Sequence, residues 1–309
     1  MNAISFFAIR ILIFVLQVFA ITLPCEFSFD NKYGYKCRVG DISIDSHHIK
    51  ITKIGGDHVH EKNKFNRTDR DVLCVIMYDR KIDYLPVNIT FYFPLLKTLQ
   101  VKKCGLKALT RPQDFRTLRR LYFGFNEIKN IRESYFWHFC RLETLSLHGN
   151  QIKSIPLRAF RDLISLKRLS LNGNHLKSIK SILFANCLNL EYIDLDNNAL
   201  SYIESSLFQQ QSRLKYLLMR NNQIKAIESG FLSTLVLQIN SNEINLVDVL
   251  FDGNNCITKF RYPRDGDYNV LQNLFSLNCS TLFLNTIVES TDINEIDSVS
   301  IQDSHDCPV

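Results

Sequence analysis

The chain offers nine cysteines, eight histidines and 31 acidic residues for chemistry. His58-Val-His60-Glu61 is the one stretch with metal-like character, because alternate residues of a strand share a face. Two imidazoles and one nearby acid fall short of a ligand set without a third placed donor. The stretch therefore reads as a solvent-facing turn, and His47-His48 is weaker still. The sequence contains no G-x-S-x-G elbow, no phosphate-cradling glycine loop, no C-x-x-C pair and no H-E-x-x-H helix. The expectation is a binding protein rather than an enzyme, with no cofactor and no metal.

What would position binding side chains is a repeat. Leu142, Leu145, Leu147, Asn150 and Ile152 recur as Leu166, Leu169, Leu171, Asn174 and Leu176. The pattern returns as Leu190, Ile193, Leu195, Asn198, Leu200 and as Leu214, Leu217, Met219, Asn222, Ile224. Upstream stand Leu118, Leu121, Phe123, Asn126, Ile128 and, with cysteine for asparagine, Leu96, Leu99, Val101, Cys104, Leu106. From Asn126 to Asn222 each asparagine follows the last by 24 residues. Ile131, Ile155, Ile179, Ile203 and Ile227 keep step, as do Phe136, Phe160, Phe184 and Phe208, with Phe231 one residue early.

The spacing has a physical reading. Alternation puts the leucines of each L-x-x-L-x-L segment on one face of a short strand. The asparagine turns the chain, and its buried amide satisfies backbone groups of adjacent coils. One coil cannot bury its own apolar face, so coils must stack. The sequence resembles extracellular leucine-rich repeat proteins over residues 96 to 244. The fold class this implies is an α/β solenoid, a leucine-rich repeat horseshoe with a parallel concave sheet and N- and C-terminal caps.

The flanks carry a second resemblance. Cys25-Glu-Phe-Ser, Tyr33-Gly-Tyr-Lys-Cys37, Gly56-Asp-His58, Tyr84-Leu-Pro86, Phe93-Pro-Leu-Leu96 and Cys104-Gly-Leu106 look like the N-terminal cap of secreted insect leucine-rich repeat proteins. Asn254-Asn-Cys-Ile257 leading to Asn278-Cys279 is similar to their C-terminal segment. What this implies is an extracellular family with some members in innate immunity.

The expected organisation is a signal peptide (1–20), an N-terminal cap (21–71), repeats (72–245), a C-terminal cap (246–283) and an acidic disordered tail (284–309). The repeats open on a degenerate coil of Val72, Val75, Met77 and Ile82 and close on a shortened one of Thr234, Leu237, Ile239, Asn242 and Ile244. Leu246 to Cys256 imitates the repeat only 12 residues on and reads as the approach to the C-terminal cap. Arg10 before the apolar run Ile11–Leu16, with Val18-Phe19-Ala20 behind it, places cleavage after Ala20. Three glycosylation acceptors, Asn66, Asn88 and Asn278, agree with export. No later window supplies about twenty apolar residues, so no membrane span is expected.

Cap reasoning pairs Cys25 with Cys37 and Cys256 with Cys279. Cys104 and Cys187 read as buried thiols, while Cys74 and Cys140 stay unassigned. Cys307 lies in the tail, where an intermolecular disulfide would give a homo- or hetero-dimer. The hydrophobic fraction of 46%, with 22% charged residues, excludes wholesale disorder and a multi-pass membrane protein.

The net charge of +6 becomes +11 for residues 21–283, because the leader takes Arg10 with it and the tail carries six acids and no Lys or Arg. Lys97, Lys102, Lys103, Arg119 and Arg120 are expected on the concave surface. There they would favour acidic glycans, anionic microbial surfaces or an acidic protein over nucleic acid. The candidate ligand face comprises Lys102, Arg120, Tyr122, Phe125, Tyr192, Asp194, Tyr216 and Arg220, aromatics beside charges as in protein hot spots. Two functions stay open: a secreted module binding an extracellular protein or microbial ligand, or a structural, adhesive matrix or cell-surface protein.

Overall fold

The computed structural model describes residues 20–45, 49–58, 67–109, 115–228, 230–231 and 248–256. Among these, the strands are β1 (Ala20–Asp30), β2 (Gly34–Val39), β3 (Ser43–Ile44), β4 (Lys50–Gly55), β5 (Cys74–Tyr78), β6 (Lys81–Ile82), β7 (Thr98–Lys102), β8 (Arg120–Tyr122), β9 (Thr144–Ser146), β10 (Arg168–Ser170), β11 (Tyr192–Asp194), β12 (Tyr202–Ile203), β13 (Tyr216–Leu218), β14 (Ala226–Ile227) and β15 (Asp248–Leu250). Eleven of them form one sheet in the order β15-β13-β11-β10-β9-β8-β7-β5-β2-β1-β4. From β2 to β15 every pairing is parallel, and from β5 onward it is in repeat register, for example Leu145 beside Leu169 beside Ile193 beside Leu217.

The core follows from the repeat. Leu121, Leu145, Leu169, Ile193 and Leu217 are fully buried, as are the flanking Leu118, Leu142, Leu166, Leu190 and Leu214. A second line of buried rings closes the opposite side. Phe136 and Phe160 sit 5.8 Å apart and Phe184 and Phe208 5.4 Å apart. Burying each such side chain removes apolar surface that a single coil would leave in water, worth roughly 1.5–3 kcal/mol.

Asparagine supplies the stitching between coils. Asn174 accepts from the Ile152 N–H at 3.1 Å and donates from Nδ2 to the carbonyls of Leu147 and Leu171 at 3.0 and 2.8 Å. Asn126, Asn150, Asn198 and Asn222 repeat this geometry. Where cysteine replaces asparagine, the Cys104 thiol points at the Met77 and Lys102 carbonyls at 3.5 and 3.2 Å, a weaker donor in the same slot. The residue just before each ladder position is left-handed: Asp79, Lys103, Phe125, Gly149, Gly173, Asn197, Asn221 and Gly253 have φ between 51° and 74°. Glycine, asparagine and aspartate meet this demand easily; lysine and phenylalanine do not.

The end of the repeats differs from the spacing-based expectation. β15 pairs directly with β13, setting Leu217 beside Val249, so the sheet runs through Asp248–Leu250 rather than stopping by residue 245. Asn254 completes the ladder, accepting from Ile224 N–H and donating to the Met219 and Phe251 carbonyls. Asn254 follows Asn222 by 32 residues, against 24 between the earlier ladder asparagines. Residues 248–256, expected in the C-terminal cap by spacing, thus extend the sheet and the ladder, while Thr234 to Ile244 of the expected closing coil lie outside the described residues.

At the other end, β1 and β2 form an antiparallel hairpin whose second strand lies parallel to β5. Cys25 and Cys37 are joined by a disulfide across this hairpin. Gly56 is obligatory there: at φ 108° a Cβ would come within 1.9 Å of the Cys25 carbonyl. Residues 1–19 of the expected leader, His47-His48, His60, Glu61, Asn66, Asn278, Cys279, Cys307, residues 257–283 and the tail lie outside the described residues.

Candidate functional site

Parallel register lines up the outward side chains of successive strands into columns. One column reads Cys74, Thr98, Arg120, Thr144, Arg168, Tyr192 and Tyr216. Its neighbour reads Ile76, Gln100, Tyr122, Ser146, Ser170, Asp194, Leu218 and Leu250. Because strand alternation buries the leucine between each pair, the column members that reach solvent, among them Arg120, Tyr122, Arg168, Tyr192 and Tyr216, are what the sheet shows to a ligand, whereas Cys74 and Thr98 are buried.

Four of the expected ligand-face residues gather towards the C-terminal end. The Tyr192 and Tyr216 rings lie 5.9 Å apart, and Arg168 reaches over the Tyr192 ring at 5.8 Å. Beside them Asp194 is 8% exposed and Asp196 3%. Arg220 binds Asp196 through Nε at 2.7 Å and Nη2 at 2.5 Å, and its backbone N–H donates to the other oxygen at 2.6 Å. Asp194 has no such cation. It accepts from the Asp196 N–H at 3.1 Å and faces the Tyr192 hydroxyl at 3.5 Å. Burial, with the Asp196 charge adding to it, pushes the Asp194 carboxyl up to about 6. Burial and the two aspartates likewise push the Tyr192 phenol up to about 12.

The other four divide. Lys102 sits over the Tyr122 ring at 4.9 Å, and burial raises the Tyr122 phenol even though the neighbouring Arg120 charge opposes it. Phe125 is not in the strand columns with Tyr122. It occupies the left-handed turn column at φ 55°, 53% exposed, at the rim of the sheet. Lys103 shares that column, while Lys97 and Arg119 precede their strands rather than lying within them. Arg119 pairs with Glu143 of the next coil at 2.6 Å. His148 meets the Phe125 ring edge-on at 4.6 Å and bonds Ser146 Oγ at 2.6 Å; burial lowers its pKa, and Lys102 adds to that.

Sequence reasoning missed Tyr78, 46% exposed beside Lys103. It also did not single out Asp196 as the anchor of Arg220. A legible signal existed for Phe125: aligned repeats put glycine, asparagine or aspartate at that position in most coils.

The remaining candidates have structural partners. His58 accepts or donates at Nδ1 to the Tyr35 hydroxyl at 2.8 Å, pairs at Nε2 with Asp69 at 3.2 Å and packs on Phe27 at 4.1 Å. Both ring nitrogens are thus engaged in tying the segment at Asp69 to the hairpin. Among the described residues no group of three His, Cys, Asp or Glu side chains gathers as a metal site. Asn88, one of the glycosylation acceptors, is bonded through its amide to both backbone groups of Ile51, Oδ1 at 2.8 Å and Nδ2 at 2.7 Å. Cys74, Cys104 and Cys187 are buried free thiols, whereas Cys140 and Cys256 are disulfide-bonded. No helix among the described residues is long and apolar enough to cross a membrane.

Residues 129–256 match the family model described as the BspA type leucine rich repeat region, in six copies. No match is found among curated protein sequences. Among solved structures, the chain is similar to that of the TLR13–ssRNA13 complex at 25% identity and TM-score 0.53, covering 61% of this chain and 26% of that one. It is similar to the Drosophila Toll–Spatzle complex at 20% identity and TM-score 0.51, over 63% of this chain and 25% of that one. A leucine-rich repeat protein of Leptospira interrogans shares 23% identity at TM-score 0.48, over 60% and 44% of the two chains. The chain therefore spans less than half the length of each of these structures. Asparagine ladder, parallel register and family match agree that this chain carries a leucine-rich repeat solenoid.

Proposed function

We propose that the protein is a secreted, non-enzymatic recognition module that binds a protein or microbial-surface ligand through the outer face of its sheet, in innate immunity. The observation that carries this reading is the Tyr192–Tyr216 pair set between Arg168 and the Asp196–Arg220 clamp. Half-buried aromatics fixed on a rigid sheet lose little freedom on binding, which is how a few residues come to dominate an interface. The likeness to the TLR13–ssRNA13 structure, a ligand complex in that protein, is compatible with a binding role for the same fold.

The test is affinity capture from native extracellular fluid by the tagged chain, run beside a Tyr192→Ala/Tyr216→Ala variant of equal thermal stability. A specific partner lost in the variant supports recognition through this face, and its identity separates immunity from an adhesive matrix role. A partner held equally by both forms removes the Tyr192–Tyr216 region from the interface. Eluates compared with and without reductant address the disulfide-linked dimer suggested by Cys307.

A further inference from the structure

At eight ladder turns the backbone is left-handed, and six of them use glycine, asparagine or aspartate. Lys103 and Phe125 are the two exceptions, at φ 54° and 55°. A bulky side chain in this region is costly, and strain of that kind persists where the surroundings or a function hold it. Phe125 recovers little by burial, since 53% of it is exposed. Its ring is seated on Gly149, where a Cβ would approach within 2.7 Å of the ring carbon. The turn thus spends backbone strain to hold an aromatic ring at the surface.

Between Phe125 and the exposed Tyr78 ring lies one ammonium. Lys103 Nζ is 5.9 Å from the Phe125 centroid and 5.6 Å from that of Tyr78. The two rings belong to coils two strand spacings apart, about 10 Å. Lys102, next to Lys103, sits over the Tyr122 ring, Arg120 opens the strand that leads to the Phe125 turn, and the acid of this column is Asp79. A complementary ligand carries anionic groups alternating with flat apolar faces.

We infer that Tyr78, Lys103 and Phe125, backed by Lys102 and Arg120, form a subsite for a sulfated polysaccharide; this rests on the recognition role proposed above and names its ligand chemistry. Sugar ring faces pack on Phe125 and Tyr78, and sulfates meet the amines. Single-stranded nucleic acid fits less well, because bases stack on successive open rings. Here the Tyr122 ring is covered by Lys102, His148 is engaged by Phe125, and a lysine separates the two open rings. A lone acidic side chain of a protein partner fits less well too. The cations are spread over neighbouring coils as separate charges and do not converge as a bidentate fork.

The experiment is calorimetric titration of the full chain with a heparin octasaccharide. Desulfated heparin octasaccharide and a twelve-nucleotide oligo-dT serve as further arms. Lys103→Gln is expected to weaken heparin about tenfold and to lower the salt slope of log K by about one. Phe125→Asn is expected to weaken it about tenfold at unchanged slope while melting no lower than the parent, since asparagine accepts the left-handed turn. Lys153→Gln, on an exposed position elsewhere, is expected to bind as the parent does. Unchanged affinity in Lys103→Gln or Phe125→Asn overturns the subsite, as does equal affinity for desulfated heparin or for oligo-dT. A parent chain that binds no heparin but keeps Tyr192/Tyr216-dependent capture sinks this subsite alone, whereas heparin binding without such capture sinks the central recognition face.

Discussion

Arg220 grips Asp196 from the next coil, 24 residues away, with Nε, Nη2 and its own backbone N–H all directed at one carboxylate. The Asp196 side chain is 4% exposed and that of Arg220 42%, so the acid is buried while its cation still reaches water. The pair locks two coils together at the edge of the Tyr192–Tyr216 face, and hydrogen bonding to Asp196 raises the Arg220 pKa. Replacing Asp196 by Ala removes a charged acceptor from three donor contacts but leaves no buried cation behind. A loss of about 1–3 kcal/mol is expected in urea unfolding. A change below 0.5 kcal/mol would show that the clamp contributes nothing net.

Asp194 gives a pH signature of opposite kind to the usual paired carboxylate. Its folded pKa is about 6, above the ordinary aspartate value of 3.8, so between these values the folded state holds the proton more tightly. Stability contributed by this group is present at pH 4 and declines as pH rises towards 6. Asp194→Asn should abolish that decline and be more stable than the parent at pH 7. Parallel stability–pH curves for the two proteins would contradict the assignment.

The ladder predicts a sharp cost. Asn174→Ala leaves the buried Ile152 N–H without its acceptor and removes one of the two amide donors on each of the Leu147 and Leu171 carbonyls, which keep Asn150 and Asn198 respectively. The orphaned N–H costs about 1–3 kcal/mol and each lost amide–carbonyl bond about 0.5–1.5, so this single change should lower stability by about 2 kcal/mol or more. A thermal melt within two degrees of the parent would count against the amide as the stitch between coils.

Burial pushes the thiols of Cys74 and Cys187 up to about 12, and both side chains are fully buried. The thiolate is the reactive form, so iodoacetamide at pH 8 should label neither until the chain is unfolded. Cys140 and Cys256 should appear in disulfide-linked peptides in the same mass map. Rapid native labelling of Cys74 or Cys187 would refute their burial.

Much of the fold was legible because each coil packs against a near copy of itself. Leu145, Leu169 and Leu217 are buried for the reason their spacing announced, and Asn150, Asn174 and Asn198 bond as a turn amide must. The reading failed where the period broke. The spacing closes the repeats by residue 245, yet β15 continues the sheet and Asn254, 32 residues after Asn222, continues the ladder. A local pattern cannot tell an enlarged coil from a short one followed by a cap, because both present the same apolar spacing.

By itself the sequence determined the coil period, the inward leucines, the asparagine ladder and therefore a stacked, curved sheet. These depend on neighbours that are repeats of the same text. Tertiary structure alone decided which outward residues meet. It brought Arg220 to Asp196, left Asp194 without a cation, set Lys103 between Tyr78 and Phe125, and engaged the Asn88 amide with Ile51. Those contacts join residues far apart in the chain, and their energies depend on burial and angle, which no spacing along one coil encodes.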